Sequence, residues 1–194
     1  MPGGTPSTLF ILAMKSSPAT TARSAPLLET ERVRLRAFRR DDLDAMATML
    51  GDATVALYLG GVPATREESW RKLMMAVGQW QLLGMGYWAV ETKSDGKFVG
   101  QIGFGIFERN ISAAFAELPE MGWIFSPAVH GQGIALEAGR AALDWLQGTR
   151  GPTASWAIIS PENVASLKLA ERLGFARLPD ALYHDEPIAV VHRD

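Results

Sequence analysis

The chain changes its periodicity at Phe125, and this change limits the possible folds more than any other feature. Before it come three strand-like runs, Tyr87–Glu91, Phe98–Phe107 and Ala113–Phe125, with no helical pattern between them. Asp95-Gly96 joins the first two runs as a hairpin signal. After it the pattern predicts a helix over Ile134–Leu146, a strand over Ser155–Ile159 and a helix over Asn163–Leu173. Two short strands follow, around Phe175 and over Ile188-Ala189-Val190-Val191. An antiparallel meander followed by a β-α-β unit predicts one mixed α/β (α+β) domain without internal repeats, its sheet flanked by helices.

The upstream segment fits the same domain. Arg32-Val33-Arg34-Leu35-Arg36-Ala37-Phe38 alternates charged and apolar residues, as a half-buried strand does, and its arginines read as a solvated outer face. The functional alternative is that they meet an acidic substrate or partner. Asp41-Asp42 opens a helix carrying Leu43, Met46, Met49 and Leu50, and Gly60-Gly61-Val62-Pro63 is a turn. Thr65 and Glu68 have capping-box spacing, and Trp70, Leu73, Met74, Val77 and Trp80 predict the buried stripe of the helix they introduce. Gly84 and Gly86 end that helix.

A length of 194 residues suits one domain, expected over 26–194. Gly, Pro, Ser, Thr and Ala fill 17 of the first 25 positions, so residues 1–25 are expected to form a flexible tail, with Met14 as an alternative start. A net charge of −2 gives no basic field for nucleic-acid phosphates. The absence of cysteine excludes thiolate metal sites, disulfides and a cysteine nucleophile. Three scattered histidines give no metal-ligand spacing. The short apolar run Leu9–Met14 is neither a membrane span nor a signal-peptide core, so a cytoplasmic location is expected.

The chemistry-bearing segment is Trp123-Ile124-Phe125-Ser126-Pro127-Ala128-Val129-His130-Gly131-Gln132-Gly133-Ile134-Ala135. An apolar strand runs into two glycines separated by one residue, and a long helix starts at once. Glycines allow close backbone approach to a ligand, while the unpaired N–H groups of a helix start can hold a phosphate or diphosphate. The segment is not a P-loop, because no Gly-Lys-Ser/Thr follows, and it lacks the third glycine of a dinucleotide fingerprint.

Several motifs in order carry a more specific resemblance: Glu120-Met121-Gly122-Trp123, then Gly131-Gln132-Gly133-Ile134-Ala135, a helix with Glu137-Ala138, Asn163-x-x-Ser166, and Leu173-Gly174-Phe175. Together they resemble the GNAT superfamily of acetyl-CoA-dependent N-acyltransferases over about residues 27–178. Within it the chain is most similar to the ribosomal-protein N-terminal acetyltransferase (Rim-type) group, whose first strand Leu28–Arg36 resembles. The resemblance implies a mixed, mainly antiparallel sheet whose central strands splay to admit acetyl-CoA as co-substrate. It implies that the amides of Gly131, Gly133, Ile134 and Ala135 hold the diphosphate, with His130 and Gln132 in the same loop. It also implies that the backbone of Ile124, Phe125 and Ser126 meets the pantetheine arm, that Asn163 hydrogen-bonds the arm, and that Ser166 lies near the thioester sulfur. The local alternatives are an ordinary tight turn at the glycines, a helix N-cap at Asn163 and a helix stop at Gly174.

Three positions depart from the resembled pattern. His130 stands where Gln or Arg usually begins the loop, Ala170 where many members carry a tyrosine acid, and Ile158 where some carry a glutamate base. Direct acetyl transfer to an amine in a ternary complex then needs another base, because no residue suggests a covalent acyl-enzyme. Glu120 is the first candidate, with Glu117, Asp185 and Glu186 as rivals and His184 beside them. Ser166 is the candidate donor to the sulfur. At pH 7 an α-amine is roughly 10–17% neutral and a lysine only about 0.04%, so a site without a strong base favours a protein N-terminus or another weakly basic amine. The alternative is a catalytically silent acyl-CoA-binding module of the same fold. No metal is expected, and a homodimer is compatible with the sequence.

Overall fold

The computed structural model describes residues 24–109 and 111–194. The expected tail lies outside the described residues as far as position 23; Ala25, by contrast, already packs on the main core. Two antiparallel strands, β1 (Leu28–Glu29) and β2 (Val33–Arg36), open the domain. A single 3₁₀ turn over Arg40–Asp42 leads into α1 (Leu43–Leu50), followed by the four-residue α2 (Ala53–Ala56) and the long α3 (Arg66–Leu83). The meander is β3 (Tyr87–Thr92), β4 (Phe98–Gly105) and β5 (Glu120–Phe125). Then come α4 (Ile134–Arg150), β6 (Ser155–Ile159), α5 (Val164–Arg172) and the short strands β7 (Ala176–Arg177) and β8 (Ala181–Tyr183). The long β9 (Glu186–Arg193) closes the chain.

Among the described residues these strands form one sheet in the order β1-β2-β3-β4-β5-β6-β9-β7, with β8 hairpinned onto β9. Every pairing is antiparallel except β5 with β6, which is parallel and registers only at Glu120 and Trp156. Trp156 donates its N–H to the Pro119 carbonyl at that point, and beyond it the two strands part. Alternation along β5 sends Met121 and Phe125 into the core shared with α4, whereas Ile124 packs with the α1 cluster on the other face. Helices therefore cover both faces of the sheet, and the split lies between them.

The sequence places most elements within a few residues, and the differences have local causes. The third strand run is shorter than expected: Ala113–Phe115 is a 3₁₀ turn and β5 begins only at Glu120. Pro119 has no N–H for a ladder, and the Phe115 ring stacks on Trp156 at 4.9 Å instead of joining a strand. In α3 the capping box forms as expected, with Glu68 donating its N–H to the Thr65 hydroxyl at 3.2 Å and Thr65 donating its own N–H to the Glu68 carboxylate at 2.7 Å. The buried face is rotated, however. Ser69, Leu73, Ala76, Gln79 and Trp80 are inside, while Trp70, Met74 and Val77 are exposed. Ser69 tolerates burial because its hydroxyl donates to the Thr65 carbonyl at 2.9 Å.

Arg36 does not belong to a solvated face. It is buried, with Nε donating to Glu91 at 2.6 Å and its two terminal nitrogens to Asp42 at 2.8 Å each. Among the described residues, no helix is long and apolar enough to cross a membrane.

Candidate active site

The split has two lips and a closed end. On the β5 lip, Ser126 donates its N–H to Val99 at 2.9 Å, and the Ile124 carbonyl lies over Gly100. Residues 122, 124 and 126 therefore turn their backbone groups toward β4, and 121, 123 and 125 turn theirs toward β6. The backbone groups that face the opening belong to Trp123 and Phe125. Those of Ile124 and Ser126, expected at a ligand, are engaged elsewhere: the Ser126 carbonyl accepts from Val129 at 3.0 Å and its hydroxyl from Ala128 at 3.3 Å.

At the open end stands the glycine loop. Gly131 and Gly133 both have positive φ, 73° and 77°, conformations that a β-branched or bulky residue would strain. Gly133 is the N-cap of α4 and offers no side chain to its amides. Among the described residues, the N–H groups of Gly131, Gly133, Ile134 and Ala135 are donated to no protein acceptor. These amides and the start of a 17-residue helix give a concentrated positive end. His130 turns away from the amides, its Nε2 lying 3.0 Å from the Phe125 carbonyl. Gln132 folds back, donating from Nε2 to Ala128 at 2.8 Å.

The second lip carries α5. Asn163 is its N-cap: the side-chain oxygen accepts the Ser166 N–H at 3.0 Å, so the capping alternative is realised. The Ser166 hydroxyl accepts the Trp123 indole N–H at 3.2 Å, which ties α5 to β5 across the split. Ala170 is buried in the core, with no hydroxyl to offer, and Ile158 packs with the Trp156 cluster.

Glu120 marks the closed end. Glu120 is only 5% exposed, and its carboxylate accepts the Arg109 Nε–H at 2.8 Å. Burial pushes this carboxyl above its ordinary range, against the opposing pull of Arg109. The Arg109 guanidinium lies 5.0 Å from the Phe107 ring centre and 4.8 Å from that of Tyr183, held by cation–π attraction. Tyr87 reaches in along the row Tyr87–Gly103–Gly122, where a side chain on Gly122 would collide with the Tyr87 hydroxyl. Burial, and secondarily the charge of Glu120, raises the Tyr87 phenol well above its usual value, so it remains a neutral hydroxyl. Gln79 and Gln101 are buried, each with an unpaired side-chain carbonyl; Gln79 lies against Gly105, the cross-strand partner of Glu120, and Gln101 lies farther along β4, opposite Ile124. The rival carboxylates Glu117, Asp185 and Glu186 are exposed, the last two with His184 at the β8–β9 turn.

Tyr87, Arg109, Gln79 and Gln101 escape a reading for catalytic motifs. Glycines inside strands, here Gly103, Gly105 and Gly122, were the available signal, because they mark close approach by another group. Chemically, the arrangement offers a buried carboxylate at the start of β5, a strand edge that keeps the Trp123 backbone and the Phe125 N–H unengaged among the described residues, and an anion-binding amide loop after its other end.

Comparison with known proteins identifies this architecture. Residues 32–176 match the acetyltransferase (GNAT) domain family. The chain belongs to the GNAT family. An uncharacterized Bacillus subtilis protein, YkkB, is 30% identical over 171 residues, covering 86% of this chain and 94% of its own length. The crystal structure of an acetyltransferase from Agrobacterium tumefaciens superposes with a TM-score of 0.75 at 26% identity, over 92% of this chain and 99% of that one. The GNAT fold extends to the Rim-type enzymes: RimL, the ribosomal L7/L12 α-N-protein acetyltransferase solved with coenzyme A, has a TM-score of 0.72. That match has 14% identity and covers 87% of this chain and 97% of RimL. The parallel, single-register contact of β5 with β6 is the splay expected for a GNAT sheet.

Proposed function

We propose that this GNAT domain binds acetyl-CoA in the β5–β6 split and transfers the acetyl group to a primary amine. The observation that carries the reading is the alignment of unpartnered loop amides at the mouth with a buried carboxylate at the closed end. The amides of Gly131, Gly133, Ile134 and Ala135 hold the diphosphate. The edge left by the Trp123 backbone and the Phe125 N–H pairs with the amide-bearing pantetheine arm as a strand would, the Phe125 carbonyl being held by His130, and Asn163 and Ser166 flank the arm from α5. A coenzyme bound along this groove brings its thioester toward Glu120.

Glu120, directly or through a water, takes the proton of the attacking amine as the C–N bond forms and the C–S bond breaks. Its raised affinity for protons makes it a better base than an exposed carboxylate. Ser166 donates a hydrogen bond toward the departing sulfur while its oxygen still accepts from Trp123. The acceptor is an α-amine of a protein N-terminus or a small amine of similar basicity, a class that needs little deprotonation at pH 7. The RimL neighbour, described as acting on a protein α-amine, supports this class. The same reading places the chain in the cytoplasm, in keeping with its lack of cysteine.

Calorimetric titration with acetyl-CoA, followed by thiol release against N-terminal peptides and small amines, tests the proposal. Binding with amine-dependent release is expected. Binding without release for any amine would favour the silent acyl-CoA-binding module, a reading motivated by Ala170 and Ile158. Failure to bind would sink the coenzyme assignment.

A further inference from the structure

Arg32 lies 100 residues from Gln132 of the glycine loop in sequence but grips it in space. Its Nη1 donates to the Gln132 carbonyl at 2.8 Å, and its Nε donates to the Glu137 carboxylate at 2.7 Å. The Arg32 backbone N–H reaches the other Glu137 oxygen at 2.8 Å, and the Thr30 hydroxyl reaches that same oxygen at 2.6 Å. A Cβ on Gly133 would lie 3.4 Å from Arg32 Nη2.

Two consequences follow from this geometry. A trans peptide is planar, with its C=O and the next N–H pointing in opposite directions. Drawing the Gln132 carbonyl toward Arg32 therefore aims the Gly133 N–H away from the β1–β2 turn, where no described protein group receives it. Glycine at 133 makes the peptide free to rotate, and Arg32 removes that freedom. The second consequence is electrostatic. Glu137 sits in the first turn of α4, where its charge suits the helix but opposes any anion bound to the same end. Burial disfavours that charge, but Thr30, the Arg32 N–H and the guanidinium outweigh it and hold the carboxyl below its usual range. The carboxylate is thus fixed and neutralised on the side away from the loop amides.

We propose that Arg32 is a positioning residue for diphosphate recognition: it presets the Gly133 amide through Gln132 and cancels the repulsion of Glu137. This rests on the coenzyme reading above. It also suits a loop that begins with His130 rather than Gln or Arg, since the His130 ring is engaged with the Phe125 carbonyl.

The test compares two ligands, coenzyme A and pantetheine, which lacks the diphosphate, by calorimetric titration of wild type, Arg32→Met and Arg32→Lys. Thermal melts accompany each titration. Arg32→Met is expected to weaken coenzyme A about tenfold or more, the scale of a lost charge-assisted hydrogen bond, while leaving pantetheine unchanged. Arg32→Lys, which keeps the charge and the fold but cannot bridge carbonyl and carboxylate together, is expected to lose a similar factor. Equal weakening of both ligands would reduce Arg32 to a structural tie and overturn the proposal. Wild-type affinity in Arg32→Lys would overturn it too, by showing that charge alone suffices. A wild-type protein that binds pantetheine and coenzyme A equally would remove the diphosphate site itself. One that binds neither would defeat the coenzyme reading first.

Discussion

Glu120 and Arg109 show how one side chain sets the chemistry of another. The carboxylate is buried, which raises its proton affinity, and Arg109 lowers it again through a 2.8 Å hydrogen bond. The balance lies on the raised side. If Glu120 is the base, as proposed, the acid limb of the kcat/KM profile is expected above the ordinary glutamate range, because the protonated carboxyl takes no proton from the amine and releases its own at higher pH than usual. Arg109→Met removes the opposing influence and should shift that limb further up, which a pH profile of wild type and variant would check. Glu120→Gln should lower kcat by about a hundredfold or more with a poorly activated amine, and by less with an α-amine that is already partly neutral. An unchanged kcat in Glu120→Gln would assign the proton to another acceptor. Glu120 was legible because it precedes the Gly-Trp strand motif. Arg109 was not, since it comes from a loop whose path depends on Phe107 and Tyr183 packing around its guanidinium.

Among the elements, α3 separates what local sequence specifies from what packing specifies. Its start is written in Thr65 and Glu68, and the reciprocal hydrogen bonds form as spaced. Thr65→Ala is expected to lower stability by about 1 kcal/mol, measurable by urea unfolding, because an N-terminal amide loses its acceptor. Its buried face keeps Leu73 and Trp80 of the expected stripe but not Trp70, Met74 or Val77, because apolar size alone does not choose the face. Ser69 and Gln79 are in fact inside, and Met74 is half exposed. Helical periodicity fixes relative angles around the axis, but the absolute rotation is chosen by what the neighbouring strands present. Here Trp80 must meet Trp88 and Trp145 edge-on at 4.7 and 5.2 Å, and Leu73 must meet the α1 methionines. Those partners outvote Trp70 and Val77.

In the whole molecule, the sheet is held by contacts that no single segment contains. Arg36 joins β2 to β3 through Glu91 and to the approach of α1 through Asp42. The hydrogen bonds it donates to Asp42, and then to Glu91, hold its guanidinium charged despite burial. Arg36→Met would leave buried Asp42 with only the Arg39 N–H and Glu91 with only Arg34 at 3.6 Å, and a loss of about 3 kcal/mol is expected in chemical denaturation. A loss below about 1 kcal/mol would mean that water reaches the carboxylates and that the pair contributes little. The split is a property of the same scale: β5 and β6 are parallel neighbours that share one registered pair and then diverge, leaving the sheet open between them.

The sequence alone determined the order of elements, the glycine loop at the start of α4, the cap of α3 and the membership that these motifs suggested. All depend on residues close in the chain, where alternation, helical spacing and backbone freedom act directly. Tertiary structure decided that β5 opens through Trp123 and Phe125 rather than Ile124, and that Arg36 is buried. It also brought Arg32 to the glycine loop and Arg109 to Glu120. Each of these is a pairing between groups distant in sequence, or a choice between two faces of one strand. Such choices are settled only when burial of the whole core ranks the competing arrangements.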